Sequence, residues 1–278
     1  MKLIQFDWAI KKMLRHKANF GILEGFLTEL LKFDLKIERI LESEGNQEEQ
    51  RDKFNRVDIL VRTTKGELVL VELQNTPETG YFQRMIYGVS KLVTEYIKLG
   101  EPYGSIKKVY SINIVYFSLG QGDDYIYEYQ GNFVGIHLKD TLLPTSNQKE
   151  KSNVKKVADI FPKYYILKIN NFDDVAKDTL DEWIYFLKNS EIKDDFSAKG
   201  LEEAREKMCY ENLDKKSKLT YNRFQENIRI EKSVLETAEE TGKKITQLEI
   251  AKNFKNAGIS ISIISQNTGL SEEEINNL

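Results

Sequence analysis

A chain of 278 residues, of which 40% are hydrophobic and 31% are charged, is long enough for one large domain or for a domain with an appendage. No apolar stretch approaches the roughly 20 residues of a membrane helix, and a net charge of -3 gives no global attraction to nucleic acid. Cys209 is the single cysteine, which excludes an internal disulfide and is typical of a cytoplasmic protein, and the scarcity of cysteine and histidine argues against structural zinc.

The first part of the chain predicts two amphipathic helices and a strand. Residues 1–14 place apolar side chains along one side of a helix that also carries Asp7. In residues 20–32, leucine and phenylalanine recur at helical spacing, which predicts a second helix. Residues 34–43 follow as a strand, and residues 44–53 are polar and predict a loop.

Residues 54–74 contain two runs of β-branched and aliphatic residues on either side of Thr64-Lys65-Gly66, a pattern that predicts a β-hairpin. Side chains alternate between the two faces of a strand, so Glu72 and Gln74 share one face of the second strand. Asp58 lies in the first strand. The predicted hairpin therefore carries an acidic side chain on each of its strands.

The length of the hairpin loop decides whether the two carboxylates meet. A three-residue loop with Gly66 at a positive φ pairs residue 58 with residue 72 and places Asp58 and Glu72 on one face, with Cβ atoms roughly 5 Å apart. Like charges that face each other are destabilising unless a proton or a cation lies between them. A two-residue loop sends the side chains to opposite faces and leaves a charged, exposed hairpin. The acidic spacing alone leaves both interpretations open.

A long amphipathic helix and a buried strand follow the hairpin. Residues 79–99 carry one apolar stripe, and residues 109–117 are apolar on both faces, which is typical of a central strand. The predicted stripe consists of Phe82, Met85, Ile86, Val89, Leu92, Val93 and Tyr96. The order of elements is helix, three strands, helix and strand.

The order of these elements and the sequence segments around the acidic hairpin resemble those of the PD-(D/E)XK nuclease superfamily. The resemblance is to the Rpn-type recombination-promoting nucleases in particular, which are also described as PD-(D/E)XK family transposases. The similarity lies in KFNRVDILVRTTKGELVLVELQN, in the helix YFQRMIYGVSKLVTEYI, in the opening FDWAIKKMLRHKANFGILEGFLTELL and in the tail TGLSEEEINNL. It implies an α/β fold with a restriction-endonuclease-like αβββαβ core, a mixed sheet flanked by helices, in residues 1–200. Residues 201–278 are expected to form an all-α C-terminal appendage.

The resemblance also implies a metal site on the hairpin. Asp58 and Glu72 match the two acids that hold a divalent ion in such nucleases, usually Mg²⁺ and alternatively Mn²⁺, and the substrate is DNA. Gln74 stands where most of the superfamily has lysine. A glutamine brings no positive charge, but its amide can orient the attacking water.

Further residues are candidates for the site, and several of them also have a purely structural interpretation. Glu24 matches an additional metal-contacting acid on the first core helix, but it is equally a helix-edge glutamate. Asp7 has an acidic counterpart in these proteins, and a helix surface charge is the favoured alternative. Arg84 and Gln83 follow the motif on the next helix, from which the planar guanidinium of an arginine can reach a DNA phosphate, and a surface salt bridge is the alternative for Arg84. Arg56 shares the strand face of Asp58 and is a weaker DNA contact.

The remaining segments are predicted more coarsely. Residues 120–138 alternate turn signals with aromatic runs and predict an accessory hairpin. Residues 164–169 predict a strand, and residues 174–187 predict a helix that faces the core.

The last segment, residues 245–278, is helix-turn-helix-like. Gly258 and Gly269 fall where two helices end, and Ser271 with Glu274 forms a capping box for a third. Because three consecutive glutamates begin that last helix, its charge repels phosphate, and a regulatory or homo-oligomerisation role is favoured over sequence-specific DNA reading.

Two functions from different classes remain open. The first is a divalent-metal-dependent DNA endonuclease that serves recombination or mobile elements. The second is a catalytically inactive protein that keeps the nuclease fold and acts as a DNA-binding or protein-binding assembly module.

Overall fold

The computed structural model describes residues 2–41, 58–96, 101–152 and 154–278. The chain forms two compact units, Met1–Leu213 and Asp214–Leu278. All described strands belong to the first unit, and the described elements of the second unit are helices. The predicted division at residue 200 between a nuclease domain and a helical region stays a prediction, although the helix Leu201–Lys207 lies within the first unit.

An aromatic cluster joins three helices of the first unit. The helices described in this unit are α1 (Phe6–Lys12), α2 (Phe20–Leu31), α3 (Tyr81–Glu95), α4 (Ser146–Ser152), α5 (Thr179–Asn189) and α6 (Leu201–Lys207). The ring of Phe6 lies 5.8 Å from that of Phe26 and 6.2 Å from that of Trp183, measured between centroids. Because all three rings are buried, the cluster packs α1 against α2 and α5.

The start of the chain pairs with the end of the first unit. The N–H of Ile4 donates to the carbonyl of Met208 at 2.8 Å, and the N–H of Tyr210 donates to the carbonyl of Lys2 at 2.9 Å. Leu3 completes an isolated antiparallel bridge. Since α1 begins two residues after this pairing, residues 208–210 fix where α1 starts.

Six strands of the described chain form one mixed sheet. They are β1 (Ile37–Leu41), β2 (Ile59–Thr63), β3 (Leu68–Gln74), β4 (Val109–Val115), β5 (Ile126–Tyr129) and β6 (Lys163–Lys168). Their spatial order is β1-β2-β3-β4-β6-β5, with parallel pairs in the middle and antiparallel pairs at both ends. The succession α2, β1, β2, β3, α3, β4 is the predicted αβββαβ core, so the predicted fold class is confirmed.

Helix α3 covers one face of the sheet, but with a narrower apolar side than its sequence predicts. Val89 and Leu92 pack against strand residues such as Leu70. Phe82 and Ile86, which the apolar stripe places in the core, are instead exposed. A helix on a flat sheet buries a limited arc, and these two residues lie at its edge. There they line an apolar groove of about 450 Å³ together with Met85, Tyr127, Glu128, Tyr129, Tyr164 and Ile166.

Two later elements differ from the predicted ones. Within the predicted accessory hairpin, β5 pairs with β6 and thereby joins the edge of the main sheet. The helix expected from residue 174 begins at Thr179, because the side chain of Asp178 accepts the N–H of Asp181 and caps α5 there.

The second unit has the predicted helix-turn-helix-like order. Its helices are α7 (Lys215–Asn256), α8 (Ile261–Thr268) and α9 (Glu272–Asn276), packed around Ala251, Ile264, Leu270 and Ile275. Gly258 and Gly269 take φ values of 77° and 72° just after α7 and α8, and Ser271 forms the capping box with Glu274. No helix in the described ranges combines the length and the apolar character needed to cross a bilayer.

A close backbone approach between α2 and the segment before α6 yields a first prediction. A Cβ atom at Gly25 would collide with the carbonyl oxygen of Lys199, which also accepts the indole N–H of Trp183 at 3.1 Å and is therefore held in place. We expect Gly25→Ala to lower the free energy of unfolding by about 1–3 kcal/mol in urea titrations. Gly21→Ala, on the same helix, meets only the movable end of Glu203 and is the control. Equal stability of the two variants would contradict the packing described.

Candidate active site

The hairpin has the loop that brings its carboxylates to one face. Gly66 adopts a φ of 80°, and its N–H donates to the carbonyl of Thr63 at 2.8 Å. Leu60 pairs with Leu70, which is the register of a three-residue loop. Continued by two residues, this register puts Asp58, immediately before β2, opposite Glu72. The interpretation with opposite faces is therefore excluded.

Asp58 is fixed by a backbone donor and a cation. Its Oδ2 accepts the N–H of Leu73 at 2.6 Å, and its Oδ1 lies 3.5 Å from the Nζ of Lys11. Burial raises the pKa of Asp58, while Lys11 and the Leu73 N–H act in the opposite direction. The carboxylate is thus half-buried, oriented and partly neutralised by the protein itself.

Glu72 is a buried acid with an incomplete set of partners. Only 4% of the residue is exposed, and its Oε1 has no hydrogen-bond partner among the described residues. The Nη2 of Arg84 lies 3.6 Å from Oε1, which makes an ion pair without a hydrogen bond. Burial raises the pKa of Glu72 to about 7; Arg84 lowers it, and the charge of Asp58 raises it further. Full ionisation near neutral pH therefore calls for additional positive charge.

A polar chain ties α1 to this end of the sheet. The buried carboxylate of Asp7 accepts a hydrogen bond from the Nδ2 of Asn75 at 2.8 Å and lies 2.5 Å from the Nζ of Lys11. Lys11 thus contacts both Asp7 and Asp58. The favoured alternative for Asp7, a helix surface charge, is wrong because the residue is buried beside the hairpin.

Gln74 lies at the end of β3 and is half-buried. Its Nε2 donates to the carbonyl and to the hydroxyl of Thr76, each at 3.2 Å. The amide is therefore held by its own loop in this structure. Both of these acceptors lie two residues further along the chain.

The predicted DNA contacts lie on α3, except for one. Arg84 is about one-third exposed (31% of its side chain), and its Nη1 donates to Glu78 at 3.0 Å in addition to the Glu72 pair. Gln83 is exposed on the neighbouring position of the helix. Arg56 lies outside the described residues. Arg84 is thus brought to the carboxylates, with part of its guanidinium still open to solvent.

Glu24 is placed elsewhere. Its Oε1 accepts the N–H of Ile37 and its Oε2 accepts from the Nζ of Lys36, both at 2.8 Å. Within the described residues, no contact joins Glu24 to Asp58 or Glu72. In this structure the side chain serves to hold the start of β1 against α2, and its metal role stays a prediction.

The acids present suit a hard divalent ion with few protein ligands. Across the described ranges, no group of three or more histidine, cysteine, aspartate or glutamate side chains is arranged to hold a metal ion. Mg²⁺ commonly binds through one or two carboxylates and keeps waters or substrate phosphates as its other ligands. Asp58 and Glu72 supply such a pair, and the buried Oε1 of Glu72 is an acceptor without a hydrogen-bond partner among the described residues. The residues present therefore fit Mg²⁺ or Mn²⁺.

Lys11 is the site residue that the sequence patterns did not single out. Its signal was present, since Asp7 and Lys11 stand four residues apart in the first helix and form an i,i+4 pair. Its contact with Asp58 spans 47 positions and follows only from the packing of α1 beside the hairpin.

The mixed six-stranded sheet flanked by helices is consistent with the fold of PD-(D/E)XK nucleases. Residues 4–238 match the family model of the PD-(D/E)XK nuclease family transposases, and the chain belongs to that family. Searches of curated proteins and of solved structures gave no significant match.

The raised pKa of Glu72 predicts how stability depends on pH. Its pKa is about 7 in the folded protein and 4.5 in the absence of structure, so the unfolded chain loses this proton first as pH rises. The free energy of unfolding of the wild type therefore falls between pH 4.5 and 7. Glu72→Gln has no carboxyl group at this position and does not show this fall. In EDTA, we expect the stability advantage of Glu72→Gln to grow across this window by at most about 3 kcal/mol.

Urea titrations at several pH values measure this difference. Glu95→Gln, which changes an exposed acid of the same helix as Arg84, is the control. A stability difference between Glu72→Gln and the wild type that does not change with pH would show that Glu72 ionises normally.

Proposed function

We propose that this protein is a divalent-metal-dependent DNA endonuclease of the Rpn type, which hydrolyses phosphodiester bonds in recombination or in the movement of mobile elements. The observation that carries the proposal is the buried, incompletely partnered carboxylate of Glu72 opposite Asp58, within a chain of the PD-(D/E)XK nuclease family transposases. A protein that keeps a buried acid beside a second acid, both with raised pKa values, gains nothing in stability from them.

Asp58 and Glu72 are the residues that would hold Mg²⁺ or Mn²⁺. When bound, such an ion polarises the scissile phosphate and lowers the pKa of a bound water. The Leu73 N–H keeps Asp58 in one orientation. Burial raises the pKa of Glu72, so a cation held there would favour the ionised carboxylate.

Polar residues around the two acids position the water and the DNA and supply positive charge. The amide of Gln74 orients the attacking water, in place of the lysine that most of the superfamily has there. Lys11 contributes positive charge beside Asp58, which Gln74 cannot do. Arg84, whose side chain is about one-third exposed, contacts a DNA phosphate, and Gln83 contacts the DNA backbone from the neighbouring position. A phosphate contact by Arg56 stays a prediction.

One observation favours the second function, a catalytically inactive DNA-binding or protein-binding module. Lys11 already neutralises part of the charge of Asp58, and Glu24 is bound to β1, so the site has fewer free acids than a three-acid metal centre.

Exposed apolar residues on α7, including Ile230 and Val234, support self-association through the helical region. Light scattering of the full chain decides whether it forms homo-oligomers.

Plasmid cleavage tests the proposed activity. We expect the wild type to nick or cut supercoiled DNA with Mg²⁺ or Mn²⁺ and to stop when EDTA removes the ion. Asp58→Asn and Glu72→Gln keep size and lose charge, so each should slow cleavage by at least about 100-fold. Glu95→Gln should cleave like the wild type.

Two outcomes contradict the assignment. Cleavage that persists in both variants would place the activity elsewhere or in a contaminant. DNA binding by the wild type without any cleavage would instead support the inactive module.

Metal binding should itself release the proton of Glu72. Because the pKa of this carboxyl is about 7, Mg²⁺ binding below pH 7 must displace a proton, and affinity should rise with pH by up to about tenfold per unit before levelling off. Calorimetry in buffers of different ionisation enthalpy counts the protons. Glu72→Gln should bind Mg²⁺ weakly and without proton release. A pH-independent affinity of the wild type between pH 5 and 8 would remove Glu72 from the ligand set.

A further inference from the structure

Tyr81 has a buried hydroxyl without a hydrogen-bond partner in the described chain. The residue is 1% exposed, and no described donor or acceptor bonds its Oη. Buried polar groups in folded proteins are nearly always paired, and an orphan near a functional site points to a missing ligand or water. Other tyrosines here follow the rule: Tyr116 donates to the carbonyl of Leu187 at 3.0 Å, and Tyr125 donates to Asp181 at 2.7 Å.

The ring of Tyr81 packs at the end of the sheet that carries the candidate site. Tyr81 begins α3 and lies one turn before Arg84. Its ring packs edge-on against Phe117, with centroids 5.7 Å apart, and belongs to the same apolar cluster as Val115. Val115 pairs with Gln74 across the sheet. The ring therefore lies over the strand ends that carry the candidate site.

The electrostatics of Tyr81 agree with this placement. Burial raises the pKa of its hydroxyl, the charge of Glu72 raises it further, and Arg84 acts in the opposite direction. The hydroxyl therefore stays protonated and remains available as a hydrogen-bond donor.

Two more buried side-chain atoms of the candidate site have no hydrogen-bond partner among the described residues. They are the Oε1 of Glu72 and the Nε of Arg84. Together with the Tyr81 hydroxyl they present two donors and one carboxylate oxygen. Donors require an anionic or neutral acceptor, and the carboxylate requires a cation. A phosphate oxygen that binds together with a divalent cation satisfies all three; a buried water is the competing occupant.

We propose that the Tyr81 hydroxyl binds the substrate by donating a hydrogen bond to a non-bridging phosphate oxygen of DNA at the Asp58–Glu72 site. This assignment rests on the proposed nuclease function and adds to it a substrate contact from the first turn of α3. The contact is to the DNA backbone, so it carries no information about base sequence.

Tyr81→Phe removes the hydroxyl and keeps the ring. Tyr116→Phe is the matched control, since it also removes a hydroxyl from a tyrosine of the first unit, but one that already has a protein partner. Three quantities are compared in the full-length chain: the urea midpoint of unfolding, the affinity for a fluorescein-labelled DNA duplex in Ca²⁺, and the rate of plasmid cleavage in Mg²⁺.

For Tyr81→Phe we expect an unchanged or higher urea midpoint, because a buried unpaired hydroxyl is removed. Its affinity for DNA should fall by about tenfold, equally for duplexes of different sequence, because a hydrogen bond to a charged group is lost. Its cleavage rate should fall by at least the same factor. Tyr116→Phe should show the reverse pattern, a lower midpoint with affinity and rate within about twofold of the wild type.

Each departure from this pattern overturns the assignment. A lower midpoint for Tyr81→Phe means that the hydroxyl has a partner in the free protein. Unchanged DNA affinity means that a buried water or no ligand at all faces it. A loss restricted to one DNA sequence indicates a base contact. If no protein cleaves DNA with either metal, the proposed activity fails, and the Ca²⁺ affinities still decide the role of Tyr81.

Discussion

The register of the β2–β3 hairpin is the constraint on which the candidate site depends. Gly66 at a positive φ closes a three-residue loop, and that loop sets Leu60 against Leu70 and Asp58 against Glu72. One residue more or fewer would turn one of the acids to the other face of the sheet, because side chains alternate along a strand. A single glycine therefore decides whether two carboxylates share a site or stand apart.

The site is a compromise between burial and charge. The same sheet face that buries the apolar residues under α3 also surrounds Glu72, and its charge is compensated only partly by Arg84 at 3.6 Å. Asp58 has a closer set of partners in the Leu73 N–H and Lys11. The two acids thus differ in their partners. Asp58 is positioned by the protein, whereas the charge of Glu72 is only partly compensated. That asymmetry is what a site that takes up a cation needs, and what a purely structural ion pair avoids.

Local patterns in the sequence predicted the αβββαβ core, the loop at Gly66 and the capping box at Ser271, because each depends on residues that are close along the chain. The contacts of Lys11 with Asp58 and of Tyr81 with the strand ends depend on how distant segments pack, and no periodicity reports them. Phe82 and Ile86 were misplaced for a related reason: helical spacing shows which residues share a side of α3, but the sheet beneath decides how wide an arc is covered.

The pairing of Lys2–Ile4 with residues 208–210 has a consequence for synthesis on the ribosome. Helix α1 carries both Asp7 and Lys11, yet the segment that clamps its beginning is among the last parts of the first unit to be translated. A nascent chain therefore completes the hairpin long before it can secure α1 beside it. Until residues 208–210 are made, the hairpin holds its two acids without the backbone pairing that secures Lys11 beside Asp58.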